Sequence, residues 1–384
     1  MRIVQANAAY DPSVRTPAAL LDLYRTLTEW STAVAGSGAD VAVVQRFHTA
    51  AGLERDGIHY QFVADKKLPW LSTKDAPPEF LHAIAAHQPD IVHVNGLIFP
   101  GLVAGIRATV GARTAIVAQH HGGEFPIRGS GIIGYWQRRA WRRGLEAADA
   151  ISFTAAEQAE PWRSAGVLGR QRVLEIVEAG TTLRAVNRER ARTAVGAGGE
   201  TIILWVGRLT TNKDPLAVLD GLEQALPMLP NARLIMVFGD DTLLASVEAR
   251  VRGSEILARA VSLAGRVAHD ELPNFYGAAD VFVSGSHTEG SGDALIEAMA
   301  AGLAPVVTDI PSFRAIAGEC GGRWAPGEAP QLARALVALL RDDLDAQKQK
   351  ARARFDAILS WPAIASRTVR EYSTVLEARR ALSG

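Results

Sequence analysis

Short runs rich in valine and isoleucine alternate along the sequence with segments of helical length, and this alternation restricts the fold more than any other feature. The runs are apolar at successive positions, as is typical of strands that are buried on both faces. Such strands form parallel sheets covered by helices, so the sequence predicts an α/β fold. The predicted strands span residues 2–5, 41–44, 91–94, 114–118, 202–206, 234–238, 281–284 and 304–308. Predicted helices include residues 18–34, 132–147, 215–226 and 294–301.

The chain is long enough for more than one core, because its 384 residues exceed the roughly 150 of an ordinary domain. A charged stretch at 184–192 runs into a glycine-rich one at 196–199, just before a new predicted strand. This composition favours a linker. We therefore expect an N-terminal domain of residues 1–185 and a C-terminal domain of residues 186–360. Residues 361–381 have apolar side chains at helical spacing and predict an amphipathic helix that must dock on another surface.

Composition excludes several classes of function. The 41 Lys and Arg balance the 41 Asp and Glu, so no general attraction to nucleic acid is expected. A single cysteine, Cys320, excludes an intramolecular disulfide and favours a reducing compartment. Asp11 interrupts the N-terminus before an apolar segment of signal-peptide length, and no apolar stretch reaches the length of a bilayer span. We expect a cytoplasmic protein, with peripheral contact at the inner membrane face left open.

A glycine-punctuated loop at 285–292 follows one predicted strand and leads into a helix that opens near Gly292 or Asp293. The first N–H groups of a helix lack intrahelical partners and favour a phosphate. Glu297 lies about one turn into the helix, where its carboxylate can accept from two vicinal hydroxyls such as those of a ribose. In the alternative interpretation, residues 291–293 only cap the helix and Glu297 is solvated.

Two cations follow another predicted strand. Gly207 and Arg208 come at its end, and Lys213 follows five residues after Arg208. Ligands of open α/β sheets bind at the carboxyl ends of the strands. An arginine and a lysine opposite a helix N-terminus are suited to a diphosphate.

The pair Glu289-x7-Glu297, together with Gly207-Arg208 and Lys213, resembles the motifs of the retaining glycosyltransferases of family 4. Further similar segments are residues 272–284 and 302–309, and more weakly 89–94 and 118–122. The resemblance implies the GT-B architecture of two facing Rossmann-like domains with a cleft between them. The N-terminal domain would bind the acceptor, the C-terminal domain would bind the nucleotide-sugar donor, and the helix at about 361–384 would pack back on the N-terminal domain.

The resemblance also implies roles for individual side chains. Glu297 would bind the ribose, and Arg208 and Lys213 would neutralise the donor diphosphate. Glu289 would contact sugar hydroxyls. His120 or His121 would face the anomeric centre. The sequence alone leaves both open, and the His-Gly pattern of the family favours His121. The alternative interpretation of each is a buried structural histidine. Further donor contacts are expected from Gly207, from the amides of Gly290, Ser291 and Gly292, and from the backbone at Arg266 and Val267.

The sequence departs from the family at two places. Many members have a Gly-Gly loop after the first strand, whereas residues 7–11 here read Asn-Ala-Ala-Tyr-Asp. This difference bears on the acceptor. Ser291 stands where a bulky residue is common, which bears on the shape of the donor-sugar pocket.

Three other features have structural interpretations. The basic segment 137–143 follows Tyr135 and Trp136, and it is interpreted either as a solvated helix face or as a surface for an acceptor phosphate or a membrane. The glycines at 129–134 fit a dinucleotide fingerprint, but no predicted strand runs directly into them, so no nicotinamide cofactor is expected. His93 lies on an apolar strand and is expected in the core.

We therefore expect a retaining hexosyltransferase of carbohydrate biosynthesis that moves a sugar from a nucleotide-diphosphate sugar to an acceptor hydroxyl. No metal or other cofactor is expected, because Arg208, Lys213 and the helix terminus would carry the charge. The acceptor stays open between a glycan, a lipid-linked molecule and a small molecule. The alternatives on the same fold are a non-catalytic sugar-nucleotide-binding protein and a sugar-nucleotide epimerase.

Overall fold

The computed structural model describes residues 1–65, 74–122, 125–127, 129, 131–184 and 186–383. The described chain separates into two compact units. The N-terminal unit comprises Met1–Ala179 and Trp361–Gly384, and the C-terminal unit comprises Gly180–Ser360. The division thus lies between residues 179 and 180, where the sequence predicts 185 and 186.

The N-terminal unit is built on an eight-stranded sheet. Its strands are β1 (Arg2–Asn7), β2 (Asp40–Phe47), β3 (Ala51–Arg55), β4 (Ile58–Ala64), β5 (Ile91–Asn95), β6 (Ala115–Gln119), β7 (Ala150–Phe153) and β8 (Arg172–Glu175). They are ordered β3-β4-β2-β1-β5-β6-β7-β8. All neighbours are parallel except the hairpin of β3 and β4, whose turn places Asp56 and Gly57 at φ values of 52° and 75°. The apolar pattern predicts β1, β2, β5 and β6. It misses β3, which has no fully buried position, β4, and the four-residue β7 and β8.

The helices of this unit that precede residue 180 are α1 (Pro17–Leu23), α2 (Arg25–Gly36), α3 (Pro78–Ala86), α4 (Pro100–Thr109), α5 (Gly131–Leu145) and α6 (Glu160–Ser164). The prediction of one helix over 18–34 is wrong. The chain breaks at Tyr24, whose φ of −96° and ψ of 62° lie outside the helical region. The start of α1 follows local chemistry, because the Thr16 side chain accepts from Ala19 N at 3.2 Å and Pro17 occupies the first turn.

The C-terminal unit holds a six-stranded, fully parallel sheet in the order β11-β10-β9-β12-β13-β14. Its strands are β9 (Thr201–Gly207), β10 (Ala232–Phe238), β11 (Val261–Gly265), β12 (Val281–Ser284), β13 (Ala304–Thr308) and β14 (Gly322–Trp324). Its helices are α7 (Arg188–Val195), α8 (Pro215–Ala225), α9 (Leu244–Arg252), α10 (Glu255–Ala260), α11 (Leu272–Ala278), α12 (Asp293–Ala300), α13 (Pro311–Ala317), α14 (Ala329–Arg341) and α15 (Leu344–Arg354).

Helix α7 occupies the segment that composition predicts as a linker, and that prediction is wrong. The Asn187 side chain caps the start of the helix, and Gly196 ends it at a φ of 64°. Arg188 and Arg192 form ion pairs of 2.8 and 2.9 Å with the buried carboxylate of Asp280. The charged stretch is therefore an ordered part of the C-terminal unit, fixed by a long-range partner that composition does not reveal.

The last helix, α16 (Trp361–Ala381), belongs to the N-terminal unit. Trp361 Nε1 donates to Glu29 Oε2 at 2.8 Å, and the Tyr372 hydroxyl is hydrogen-bonded to His93 Nδ1 at 2.6 Å. His93 is a core residue, as expected, and its ring lies 4.5 Å from that of Trp30. Burial lowers the pKa of His93 to about 3, so the imidazole is neutral near pH 7. Among the described residues, no helix is long and apolar enough to cross a membrane.

Candidate active site

Two loops of the C-terminal unit meet at the carboxyl edge of its sheet. One follows β9 and the other follows β12, which are neighbouring parallel strands. Asn212 Nδ2 donates to the Thr288 carbonyl at 3.0 Å, and Thr288 N donates back to Asn212 Oδ1 at 3.1 Å. Lys213 Nζ pairs with Glu289 Oε1. These contacts join residues that are 76 positions apart in the sequence, so the two loops form one continuous surface.

The close approach of the two loops requires a glycine. A Cβ at Gly285 would lie 2.9 Å from the Asp214 carbonyl oxygen and 3.1 Å from that of Lys213. Asp214 itself has a φ of 41°, a left-handed conformation that is costly for a residue with a side chain. Its carboxylate holds the turn, accepting from Ala217 N at 3.2 Å and contacting His287 Nε2 at 3.0 Å.

The structure brings Lys213 and Glu289 together. Their side chains are only 20% and 13% exposed, so the pair is better shielded from solvent than a surface ion pair. In this arrangement the lysine charge is balanced by the carboxylate. Any anion that uses Lys213 therefore competes with Glu289 for it or shares it.

Helix α12 begins at a glycine that no other residue replaces well. Gly292 is the N-cap residue with φ 76°, and a Cβ there would lie 2.6 Å from the Phe313 ring. Ser291 Oγ donates to Asp293 Oδ1 at 2.8 Å, in the first turn. Gly290, Ser291 and Gly292 thus precede a helix N-terminus at the same edge as Lys213.

Glu297 is not simply a solvated helix residue. The buried Tyr276 hydroxyl donates to Glu297 Oε2 at 2.7 Å and fixes the orientation of the carboxylate. Burial, and then the negative charge of Glu297, raise the pKa of Tyr276 well above its usual value, so the phenol stays a donor. Tyr276 lies within the segment 272–284 that resembles the family, yet nothing in the sequence assigns it to Glu297.

The remaining predicted donor residues lie along the same edge. Gly207 ends β9, and the exposed Arg208 follows it. Thr242 hydrogen bonds lower the pKa of Asp240, and the charge of Arg208 lowers it further, which places the arginine beside the loop after β10. Arg266 and Val267 follow β11, and Arg266 Nη2 donates to the Gly239 carbonyl at 2.5 Å.

The N-terminal unit distinguishes the two adjacent histidines that follow β6. His120 is buried, with its ring 5.0 Å from that of Phe153 and 5.6 Å from that of Trp162. His121 is 37% exposed; its Nε2 contacts Asn95 Oδ1 and its Nδ1 contacts Glu178 Oε2. His120 therefore packs in an aromatic cluster, whereas His121 is held between two polar side chains at the edge of the sheet.

Several polar residues of this edge escape sequence reasoning. Asn95 ends β5, beside β6, and the buried Glu178 follows β8. Asn7 ends β1 with both amide atoms buried and without a hydrogen-bond partner among the described residues. The sequence feature that could have identified these residues is their position at or just after the end of a strand, since the carboxyl ends of parallel strands share one edge of the sheet.

No group of three or more His, Cys, Asp or Glu side chains that could hold a metal ion occurs in the described part of the chain. The sequence has one Asp-x-Asp triplet, at 343–345. Asp343 accepts from Ala346 N at 3.0 Å and caps α15. That triplet therefore has a structural role.

Comparison with known proteins identifies the family. A family model described as Glycosyl transferases group 1 matches residues 200–342, and a model described as Glycosyltransferase Family 4 matches residues 24–174. The chain belongs to glycosyltransferase family 4. The prediction of a glycosyltransferase that uses a nucleotide sugar is thereby confirmed.

Two relatives of this family 4 glycosyltransferase have assigned activities. The GDP-mannose:cellobiosyl-diphosphopolyprenol alpha-mannosyltransferase of Xanthomonas campestris is 27% identical over 308 residues, 79% of this chain and 78% of that one. The phosphatidyl-myo-inositol mannosyltransferase of Mycobacterium leprae is 32% identical over 183 residues, 46% of this chain and 47% of that one.

Solved structures give the fold of the glycosyltransferase. A sucrose-phosphate synthase from Thermosynechococcus elongatus superimposes with a TM-score of 0.71 at 21% identity, covering 98% of this chain and 99% of that one. Anabaena HepE in complex with UDP and glucose superimposes with a TM-score of 0.70 at 17% identity, covering 97% and 100%. The fold is GT-B, as the resemblance implies.

Proposed function

We propose that the enzyme transfers a mannosyl residue from GDP-mannose to a hydroxyl of a lipid-linked acceptor, with retention of configuration and without a metal ion. The observation that carries the donor site is the joined pair of loops after β9 and β12, which gathers a lysine, two carboxylates and a helix N-terminus at one sheet edge. The choice of mannose and of a lipid-linked acceptor is supported by the printed activities of the two relatives.

The donor diphosphate binds at the start of α12 in this proposal. Arg208 is exposed, and Lys213 lies beside the loop that precedes the helix. Together with the amides near Gly290–Gly292 and the helix dipole, these cations stabilise the charge that develops on the leaving diphosphate. This is the charge that a metal ion would otherwise neutralise.

The nucleoside and the sugar use the carboxylates. Glu297, oriented by Tyr276, accepts from the two ribose hydroxyls. Glu289 accepts from sugar hydroxyls while it still holds Lys213. The backbone at Arg266 and Val267 contacts the base.

The transfer proceeds on one face of the sugar. The acceptor oxygen forms a bond to the anomeric carbon as the bond from that carbon to the diphosphate oxygen breaks. The proton of the acceptor hydroxyl passes to a phosphate oxygen of the departing GDP, so atoms and charge balance without a further base. Positioning and electrostatic stabilisation supply the rate enhancement.

The N-terminal unit binds the acceptor in this proposal. His121, held by Asn95 and Glu178, contacts the transferring sugar and orients it. Asn7 offers a buried amide whose hydrogen bonds are unfilled within the described chain, and such groups are costly unless a ligand or water completes them. The enzyme works at the cytoplasmic face of a membrane that carries the acceptor.

The experiment measures GDP release from GDP-mannose with and without a polyprenyl-diphosphate oligosaccharide, and the anomeric configuration of the product by NMR. We expect release that depends on the acceptor, an α-linked product, and full activity in EDTA. UDP- and ADP-sugars are tested in parallel as control donors. Release equal in the absence of acceptor contradicts transfer, a β-linked product contradicts retention, and activity restored only by Mg²⁺ or Mn²⁺ contradicts the charge assignment.

The variant Glu297→Gln tests the site itself. It keeps the size of the side chain but weakens the charge-assisted hydrogen bonds to the ribose, for which about 1.5–3 kcal/mol is typical. We expect GDP affinity to fall at least tenfold. Glu248→Gln, at an exposed ion pair on α9, is the control and leaves the affinity unchanged.

A further inference from the structure

The first turns of α5 expose an unusual concentration of large apolar side chains. Ile132, Ile133, Tyr135 and Trp136 are 75%, 67%, 51% and 58% exposed. The described chain exposes nine such side chains in all, and these four lie within five consecutive residues. We call them the apolar turn. Scattered apolar residues are normal on a protein surface, whereas a contiguous group marks a binding surface.

The apolar turn continues into a row of basic residues on the same helix. Ile132 and Trp136 are four residues apart, and Arg139 and Arg143 follow at the next two helical repeats of that face. The opposite face of α5 is buried through Gly134, Trp141 and Leu145. The solvent face of the helix is therefore apolar at its N-terminal end and cationic at its C-terminal end.

Two of the arginines on α5 are available to an external anion. Arg142 pairs with Glu146 at 2.8 Å, and Arg138 donates to the Gly129 carbonyl at 3.1 Å. For Arg139 and Arg143, the described residues offer no ion-pair partner. The chain as a whole has no net charge, so this is a local cationic patch on a neutral protein.

Helix α5 packs against its neighbour α4 through its C-terminal part. A Cβ at Gly144 would lie 2.4 Å from the carbonyl oxygen of Pro100, the first residue of α4, so the two helices touch there. The thirteen residues from 131 to 143 lie N-terminal to Gly144 and, at 1.5 Å per residue, span about 20 Å. Helix α5 is the next element of the chain after β6, whose carboxyl end carries His121, so the N-terminal end of α5 belongs to the same edge of the sheet.

We propose that α5 is an interfacial helix that docks this enzyme on anionic lipid. The apolar turn enters the boundary between headgroups and acyl chains, and Arg139 and Arg143 contact lipid phosphates. Aromatic and branched apolar side chains beside arginines fit the layered chemistry of a bilayer surface. The benefit of docking rests on the proposed function, because it brings the edge that carries His121 to an acceptor borne by lipid.

Vesicle flotation tests the docking directly. Full-length protein is mixed with vesicles of phosphatidylcholine alone or with 30% phosphatidylglycerol, at low and high salt. We expect binding to the anionic vesicles that weakens with salt. Arg139→Gln with Arg143→Gln lowers the partition coefficient by about 25-fold, at roughly fivefold for each arginine. Ile132→Ser with Trp136→Ser abolishes flotation at both salt concentrations.

Matched controls and a second readout separate the possible outcomes. Ile256→Ser, at a single exposed apolar position of the C-terminal unit, floats like the unchanged protein. Each α5 variant keeps its melting temperature and its turnover of a short, water-soluble acceptor analogue, while turnover of the vesicle-borne acceptor falls. Equal flotation of all variants, or no flotation of the unchanged protein, overturns the proposal. A dimer that the α5 variants dissolve, without vesicle binding, assigns the surface to a second copy of the chain and overturns it as well. Flotation without sugar transfer from any donor leaves docking intact and refutes the proposed function.

Discussion

The ion pair of Lys213 and Glu289 leads to a prediction with opposite signs for binding and turnover. In the structure, Glu289 balances the lysine charge that the donor diphosphate needs. The isosteric variant Glu289→Gln removes the negative charge and keeps the side-chain volume. We expect it to bind free GDP more tightly, because Lys213 then turns to the diphosphate and the repulsion from the carboxylate is lost.

The magnitude follows from Coulomb's law and the exposure of the pair. A carboxylate charge at Glu289 and one charge of a bound diphosphate, taken as about 8 Å apart, repel by roughly 2 kcal/mol at an effective dielectric constant near 20. Partial exposure, 20% for Lys213 and 13% for Glu289, leaves solvent to screen the effect. We therefore expect a net gain of about 1 kcal/mol, which corresponds to about a fivefold lower Kd for GDP.

The turnover of GDP-mannose moves the other way. Glu289 contacts the sugar hydroxyls in the proposed site, and a neutral amide accepts more weakly than a carboxylate. We expect kcat/KM to fall at least tenfold in Glu289→Gln. Isothermal titration with GDP and steady-state kinetics measure the two effects on the same preparation.

A second ion pair in the same unit provides the control. Glu223 pairs with Arg250, the side chains are 31% and 27% exposed, and the pair takes no part in the proposed site. Glu223→Gln should change neither the Kd for GDP nor kcat/KM. If Glu289→Gln binds GDP no better than the unchanged enzyme, the competition between carboxylate and diphosphate for Lys213 is refuted.

The remaining predictions concern other buried hydrogen bonds and the histidines. Tyr276→Phe should raise KM for the donor several-fold and leave kcat unchanged, because Tyr276 orients Glu297 equally in the ground state and in the transition state. An equal fall in kcat and kcat/KM in steady-state kinetics would contradict this role. His121→Ala should lose turnover with GDP affinity nearly kept, whereas His120→Ala should lose about 2–3 kcal/mol of stability in urea unfolding; two fully active and stable variants would exclude both roles. The pKa of His93 falls from 6.5 to about 3 on folding, so between those pH values the unfolded chain binds a proton that the folded protein does not. The free energy of unfolding should therefore decline by about 1.4 kcal/mol per pH unit as the pH falls below about 6.5. Urea unfolding between pH 7 and pH 4 should show a smaller decline for His93→Gln, and an unchanged slope would refute the assignment.

The apolar runs of the sequence determined much of the fold because burial on both faces leaves a local signature. β1, β2, β5 and β6 in one unit, and β9, β10, β12 and β13 in the other, appear as continuous Val and Ile segments. Strands at or near the sheet edges, such as β3, β8 and β14, are short or only partly buried and left no such pattern. Local chemistry also placed the glycine at the start of α12, since the N-cap position there has a φ of 76°, which favours glycine.

The sequence by itself determined which residues stand at the carboxyl ends of strands, and therefore which residues share an edge. The tertiary structure decided which of them touch. Lys213 and Glu289 are 76 positions apart, and they meet because β9 and β12 are neighbours in the sheet, an order that no local pattern specifies. Likewise Tyr276 reaches Glu297, and His121 lies against Asn95 and Glu178 while His120 turns into the aromatic cluster. Periodicity fixes the face of an element on which a side chain lies, whereas its contacts depend on strand order and on the path of distant loops.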